Sequence, residues 1–353
     1  MSEEIIGKTL FEEEEQVVKR ELDKDELEIF KYSIGKHKEL SALCKQFEVS
    51  ELVILGYINE LKESGKNIFL TKENGVYYVN DFGDMHIDHN EYKVEDFKDK
   101  KILKFGLLSD TRFGSKYQQL SIVNDFYQKA YNAGVDFFIH CGDISEGKYT
   151  GEKEKYNESL FAHGAEEQAG LISSQYPYVN GIKTYFITGD YDQTHMKGKG
   201  KRDIGKLIAE EREDMVYLGL SRCFMTINNL RIYIDHKVPR LAKQNIQLSY
   251  RPQRTIATMR SEDKVNMLLQ GHSLYQQAFK NRGVQIVTAP SMVATTPEMR
   301  DYEISNTVGA WIIYLELNKG KIEKIRPCAM PDYVTREDDY LSAKKLVLIN
   351  GGK

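Results

Sequence analysis

The chain has 353 residues, 41% of them apolar, and a formal charge of −4. That length exceeds one small domain, and the apolar share supports a real core. The near-balanced charge excludes a polyanion binder that works through overall positive potential. The four cysteines show no paired spacing, which points to reduced thiols and a cytoplasmic protein. There is no apolar run near ~18 residues and no signal-like start, so no membrane span or secretion is expected. Charge is uneven along the chain. Residues 1–80 carry 11 Lys and Arg against 17 Asp and Glu.

In chain order, residues 1–23 are acidic, with Glu12 to Glu15 in a row, and read as a solvated tail. Residues 24–81 read as a small domain. Leu27, Phe30 and Ile34 give one helical stripe, Leu40, Leu43, Cys44 and Phe47 a second, and Ile54, Tyr57, Ile58 and Leu61 a third. Two strand-like runs then flank Asn74–Gly75, a strong hairpin signal. Three helices and a hairpin resemble a winged helix, a fold that often puts its third helix into the DNA major groove. Here the third helix carries Glu51, Glu60 and Glu63 against Lys62 and Lys66, a poor match for phosphate. Protein docking or packing is therefore weighed above nucleic-acid contact for this domain. Residues 82–100 are polar and read as a linker, with His86 and His89 as solvated loop histidines.

Residues 101–330 begin with strand and helix in alternation and end with paired strands, a pattern of a mixed two-sheet α/β sandwich. A helix is predicted from Tyr117 to Asn132 and another within Glu158 to Ser174. Residues 331–353 read as a C-terminal tail. Five short apolar runs each end in an acidic or histidine side chain: Asp110, Asp143, Asp190, His236 and His272. Strands that deliver such groups from their C-terminal ends build a metal or phosphate site at a sheet edge. After the third run, Lys197, Lys199, Lys201 and Arg202 form a basic, glycine-broken loop. With Arg251 and Arg254 it is a candidate to hold phosphate. His140, His163 and His195 are read as non-ligands.

The blocks L-L-S-D-T-R, C-G-D-I-S-E-G, F-I-T-G-D-Y-D, Y-I-D-H and Q-G-H-S-L resemble, in order and spacing, the calcineurin-like metallophosphoesterase superfamily. Its motifs run D-x-H, G-D, G-N-H-[DE], H and G-H-x-H. The variety most similar is found in phages and bacteria and is related to DNA-repair nucleases, which Ser249 to Arg254 also fits. The resemblance implies two metals about 3.5–4 Å apart that share a bridging aspartate, here Asp143. One metal would use Asp110, Asp143 and two histidines, but those histidines are Arg112 and Leu274 here. The other would use Asp143, Asp190, His236 and His272, a full oxygen and nitrogen set for manganese, zinc or iron. The family's acid histidine is Tyr191, followed by Asp192. One divalent ion is thus expected, and no second.

Without the second ion, Asp110 and Asp143 would face each other uncompensated. Arg112 cannot ligate, because it stays protonated. It is expected to take the missing ion's place beside them; the alternative is an Arg112 that points to solvent. Two functions follow. One is a non-catalytic or weakly active phosphoesterase-fold protein that binds nucleic acid or a protein partner. The other is a phosphodiesterase or nuclease that uses one ion, with Arg112, Tyr191 and Asp192 as its catalytic groups.

Overall fold

The computed structural model describes residues 30, 38–63, 68–73, 75–81, 91–94, 97, 100–197, 202–236, 250–257, 259, 263–318, 321–330, 333–342 and 344–348. The acidic tail, most of the first helical stripe, His86, His89, Lys199 and Lys201 lie outside them, as does the Arg251 side chain. The chain divides into two compact units, Met1–Asp88 and His89–Lys353.

The first unit runs β1 (Lys38–Glu39), α1 (Leu40–Phe47), α2 (Glu51–Glu63), β2 (Ile68–Glu73) and β3 (Val76–Asp81). Its strands form an antiparallel sheet in the order β1-β3-β2. Glu73 faces Val76 across the hairpin, leaving a two-residue turn in which Gly75 supplies a φ of +87°. The expected helical stripes do bury: Leu40 and Leu43 from α1, and Ile54, Tyr57, Ile58 and Leu61 from α2, pack with Phe30, Ile68 and Val79.

The second unit is a sandwich of two six-stranded sheets. It opens with β4 (Glu91–Val94), β5 (Ile102–Leu108), α3 (Leu120–Asn132), β6 (Phe137–His140), α4 (Gly164–Gln175), β7 (Tyr178–Val179), β8 (Thr184–Thr188), α5 (Ile204–Glu211) and β9 (Met215–Leu220). It continues with β10 (Arg222–Ile227), β11 (Leu230–Asp235), α6 (Tyr250–Ala257), β12 (Met267–Gln270), β13 (Gln277–Asn281), β14 (Val284–Thr288) and α7 (Pro297–Asp301). It closes with β15 (Ala310–Asn318), β16 (Lys321–Met330), α8 (Asp339–Ser342) and β17 (Val347–Leu348). One sheet has the order β16-β15-β5-β6-β8-β9, the other β13-β14-β12-β11-β10-β4.

Strand alternation sorts the core. Phe137 and Ile139 on β6 join Leu103, Phe105 and Leu107 of β5 between the sheets, against Ile232, Ile234, Met267 and Leu269. Phe138 turns the other way, to Phe126 and Tyr127 of α3 and to Ile172 of α4. Gly106 leaves room for this, since a Cβ there would lie 2.4 Å from the Phe138 ring.

Two stretches read as linker and tail are built into this unit. Glu91–Val94 pairs in parallel with β10 and buries Val94 in the sandwich core. Four residues are too few to show a period. The C-terminal residues are tied across α3 and α4. Asp339 caps Ser121 N–H at the start of α3 (2.9 Å), and β17 pairs with β7. The Asn124 amide donates to the Lys344 carbonyl (2.6 Å) and accepts from Leu346 N–H (3.2 Å). Removing both bonds with Asn124→Ala is expected to cost about 1–2 kcal/mol in urea denaturation, since a typical hydrogen bond contributes about 1 kcal/mol.

Candidate functional site

The parallel neighbours β5, β6 and β8 end on one side of their sheet, and the parallel pair β11 and β12 ends on one side of the other. The residues after these ends meet at one end of the sandwich. Asp110 N–H donates to the Gly142 carbonyl (3.0 Å), Gly271 N–H to that of Asp235 (3.0 Å) and His236 N–H to that of Ser221 (2.8 Å). Close approach of backbone needs glycine here. A Cβ at Gly142 or Gly271 would strike the His236 ring, and one at Gly189 would lie 2.2 Å from Asp143 Oδ1.

The backbone is strained at the same place. Asp110, Arg112, Asp143, His272 and Leu274 all take positive φ, between +48° and +60°. For a residue with a Cβ each such turn costs about 1–2 kcal/mol and persists only where the surroundings enforce it. Such residues gather at functional sites.

Asp143, His236 and His272 bring three ligand atoms within 4.8 Å of one another. Asp143 and His236 are fully buried and His272 is half-buried. The His236 Nδ1 sits against the Cys141 carbonyl, which orients the ring so that Nε2 faces Asp143. Nε2 lies 2.8 Å from Asp143 Oδ2, yet neither atom has a hydrogen bond of acceptable geometry. A buried carboxylate oxygen and a buried imidazole nitrogen without hydrogen-bond partners face one place, as ligands of a cation would once His236 gives up its Nε2 proton. The electrostatics agree. Burial alone would lower the His236 pKa, but the charges of Asp143 and Asp110 beside it raise it to about 10. Asp143 is held well below the usual carboxylate range: burial opposes this, and His236, Arg112 and His272 outweigh it. The place attracts positive charge.

Asp110 is 1% exposed and accepts from Ser109 Oγ (2.7 Å) and His272 N–H (3.3 Å). Burial raises its pKa, with the charge of Asp143 adding to the shift and His236 opposing it. Asp190 is exposed and falls outside the triad, although its charge acts on His272 and on Arg222.

The other half of the site holds side chains in place of ligands. Arg112 is 3% exposed, so it does not point to solvent. Its direct ion-pair partner differs from expectation. It is Glu146, at 3.4 Å, rather than Asp110 or Asp143. The guanidinium carbon lies 3.5 Å from the centre of the Tyr191 ring. Burial would lower the Arg112 pKa, but Glu146, Tyr191 and Asp143 more than offset it. The Tyr191 hydroxyl donates to Glu298 (2.5 Å), which Lys153 also holds, and the Tyr149 hydroxyl donates to Glu146. Burial raises the Tyr191 phenol far above its ordinary value, so it is a poor acid. Leu274 packs on Val293, Met299 and Tyr117.

Sequence reasoning missed Glu146, Tyr149, Glu298 and Lys153. Glu146 stood in view in C-G-D-I-S-E-G, but only the fold shows it facing Arg112. Asp192 accepts four hydrogen bonds, from Ile144 N–H, Ser145 N–H, Ser145 Oγ and Gly189 N–H, which ties both its oxygens to the turns around Asp143. Burial and Asp143 push its pKa up to about 7 against those donors. Lys197 is exposed, and Arg202 pairs with Glu166 on the surface (2.9 Å). Arg254 lies on α6, half-buried. His140 bonds to Thr111 Oγ1 (3.0 Å) and accepts from Gly142 N–H (3.2 Å), so it serves the strand end. His163 is exposed at the start of α4.

The family model for calcineurin-like phosphoesterases matches residues 77–312. No curated protein matches the chain. Among solved structures, an archaeal phosphodiesterase is 12% identical, with 65% of this chain and 100% of that one covered and a TM-score of 0.34. Vps29 from Entamoeba histolytica, in complex with zinc, is 12% identical, with 65% and 98% covered and a TM-score of 0.32. YfcE, a phosphoesterase from E. coli, is 11% identical, with 64% and 98% covered and a TM-score of 0.31.

Two outcomes follow from this geometry. Gly189→Ala should destabilise the chain by about 1–3 kcal/mol in urea denaturation, because its Cβ overpacks Asp143. His195 is 4% exposed, bonds to Gln168 Oε1 (3.2 Å), and burial lowers its pKa to about 4. A lowered folded pKa means that its stabilisation is present above the unfolded value of 6.5 and is lost as pH falls toward 4. A pH series should show a stability loss across that window that shrinks in His195→Gln; an equal slope in both chains refutes it.

Proposed function

The chain belongs to the calcineurin-like phosphoesterase family, and we propose that it is a member reduced to a single cation site, which binds a phosphorylated ligand with little or no hydrolysis. The observation that carries this reading is the division of the site. Asp143, His236 and His272 bring three ligand atoms within 4.8 Å of one another, and Asp143 Oδ2 and His236 Nε2 lack hydrogen-bond partners, while Arg112, Glu146, Tyr191 and Glu298 engage one another in the other half. Asp143, His236 and His272 would hold the ion, with Asp190 beside them, and two nitrogens with carboxylate oxygen suit manganese, zinc or iron. Such an ion would polarise a phosphoryl oxygen as a Lewis acid.

The chain's own groups favour binding over turnover. Arg112 supplies a fixed positive charge that acts on Asp143 without pairing with it, which suits an anionic ligand. Tyr191 aims its hydroxyl at Glu298, so the family's proton donor has no working counterpart. The half-buried His272 and exposed Asp190 leave the cation side open to a ligand.

The first unit supports a winged-helix-like reading, with its β1-β3-β2 order around α1 and α2. The exposed residues of α2 include Glu51, Leu52, Asn59 and Glu60, which suits a protein partner better than nucleic acid. Cys44, Cys141, Cys223 and Cys328 form no disulfide, which suits a reducing cytoplasm. Among the described residues, no helix is long and apolar enough to cross a membrane.

Calorimetric titration with Mn²⁺ should give about one ion per chain, abolished by His236→Ala, since a site that loses one of so few ligands binds poorly. Hydrolysis of a generic phosphodiester and of single- and double-stranded DNA should stay near background. Two ions per chain, or turnover that His236→Ala removes, contradicts the reading.

A further inference from the structure

We propose that Glu146 is a positioning residue that holds Arg112 away from Asp143, so that the buried arginine and a divalent cation can share the site. This inference rests on the one-cation reading above.

Arg112 and the cation are rivals for the same carboxylate. The backbone N–H of Arg112 donates to the Asp143 carbonyl (3.1 Å), and both residues are held at positive φ, +48° and +53°. The two are therefore neighbours, and a buried guanidinium normally settles on the nearest carboxylate. Here it engages Glu146 and lies flat on Tyr191, while Asp143 Oδ2 keeps no hydrogen-bond partner.

The cradle that draws Arg112 aside is itself braced. Glu146 is fully buried, and the Tyr149 hydroxyl donates to the same oxygen, Oε1, that Arg112 engages. Tyr149 meets the Tyr191 ring edge-on (6.0 Å between centroids). Tyr191 is fixed by Glu298, and Glu298 by Lys153 of the 3-10 segment Gly151–Ser159. These contacts hold against Arg112 a carboxylate that is not one of the triad's. If that charge is removed, Arg112 becomes a buried cation without its partner, and Asp143 and Asp110 are the carboxylates left to receive it. Arg112 would then neutralise Asp143 and exclude the cation.

The test is Mn²⁺ titration calorimetry on the full chain. Glu146→Gln, which keeps the shape and removes the charge, should weaken Mn²⁺ binding by about 10- to 100-fold, the usual effect of losing a residue that orients metal ligands. Adding Arg112→Met to the same chain should restore binding, because the competitor is gone. A general packing defect would not be repaired in this way. Unchanged binding in Glu146→Gln, or a loss that Arg112→Met does not restore, overturns the proposal. If Glu146→Gln does not fold, Tyr149→Phe removes only the hydroxyl that anchors Glu146; a several-fold loss is then expected, and an unchanged affinity overturns the proposal. Wild-type protein that binds no Mn²⁺ removes the one-cation reading and this inference together. Wild-type binding with indifferent variants removes this inference alone.

Discussion

Two carboxylates, Asp110 and Asp143, are buried side by side at the end of a β-sandwich, 1% and 0% exposed. Buried charge without compensation is among the costliest features a fold can carry. The surroundings answer it with positive charge and hydrogen-bond donors. His236 is drawn toward its charged form, the N–H groups of His272 and Tyr191 point at carboxylate oxygens, and Arg112 is enclosed nearby. The left-handed backbone at five positions of the site is part of the same construction, because it turns side chains inward where an ordinary strand end would pass by.

The two halves of the site have taken different courses. On one side Asp143, His236 and His272 converge, and Gly142 and Gly271 let His236 lie against the backbone. On the other, Leu274 keeps a φ of +59° although it has nothing to ligate, and it fills its space by packing on Val293 and Met299. Arg112 likewise keeps a strained backbone, but its charge is balanced by a glutamate and an aromatic face rather than by the aspartates alone. Tyrosine in place of a histidine acid belongs to the same rearrangement, since its ring supports Arg112 and its hydroxyl is engaged by Glu298. The result is a network of Arg112, Glu146, Tyr191 and Glu298 that engage one another.

Much of this was legible from the residues alone. Runs such as Phe137-Phe-Ile-His and Met267-Leu-Leu-Gln are strands because apolar and β-branched residues recur over lengths too short for helices, and they are buried strands because both faces are apolar. Spacing also placed a helix over Tyr117 to Asn132, observed as Leu120–Asn132. Other elements had no such signal. Glu91–Val94 is four residues long, Val347–Leu348 is two, and the hairpin of β13 and β14 has one exposed edge that blurs its alternation.

Sequence by itself determined which side chains stand at the strand ends, and therefore that Arg112 and Leu274 cannot serve as metal ligands and that Tyr191 puts a phenol where a histidine acid is expected, because these are properties of the side chain's chemistry wherever it lies. Only the tertiary structure decided what those three do instead. The carboxylate that receives a buried arginine depends on through-space distance and on the braces around each candidate. Glu146 stands thirty-four residues along the chain from Arg112, and Glu298 one hundred and seven from Tyr191. No local period encodes such meetings; the first follows from the parallel pairing of β5 with β6, strands far apart in the chain.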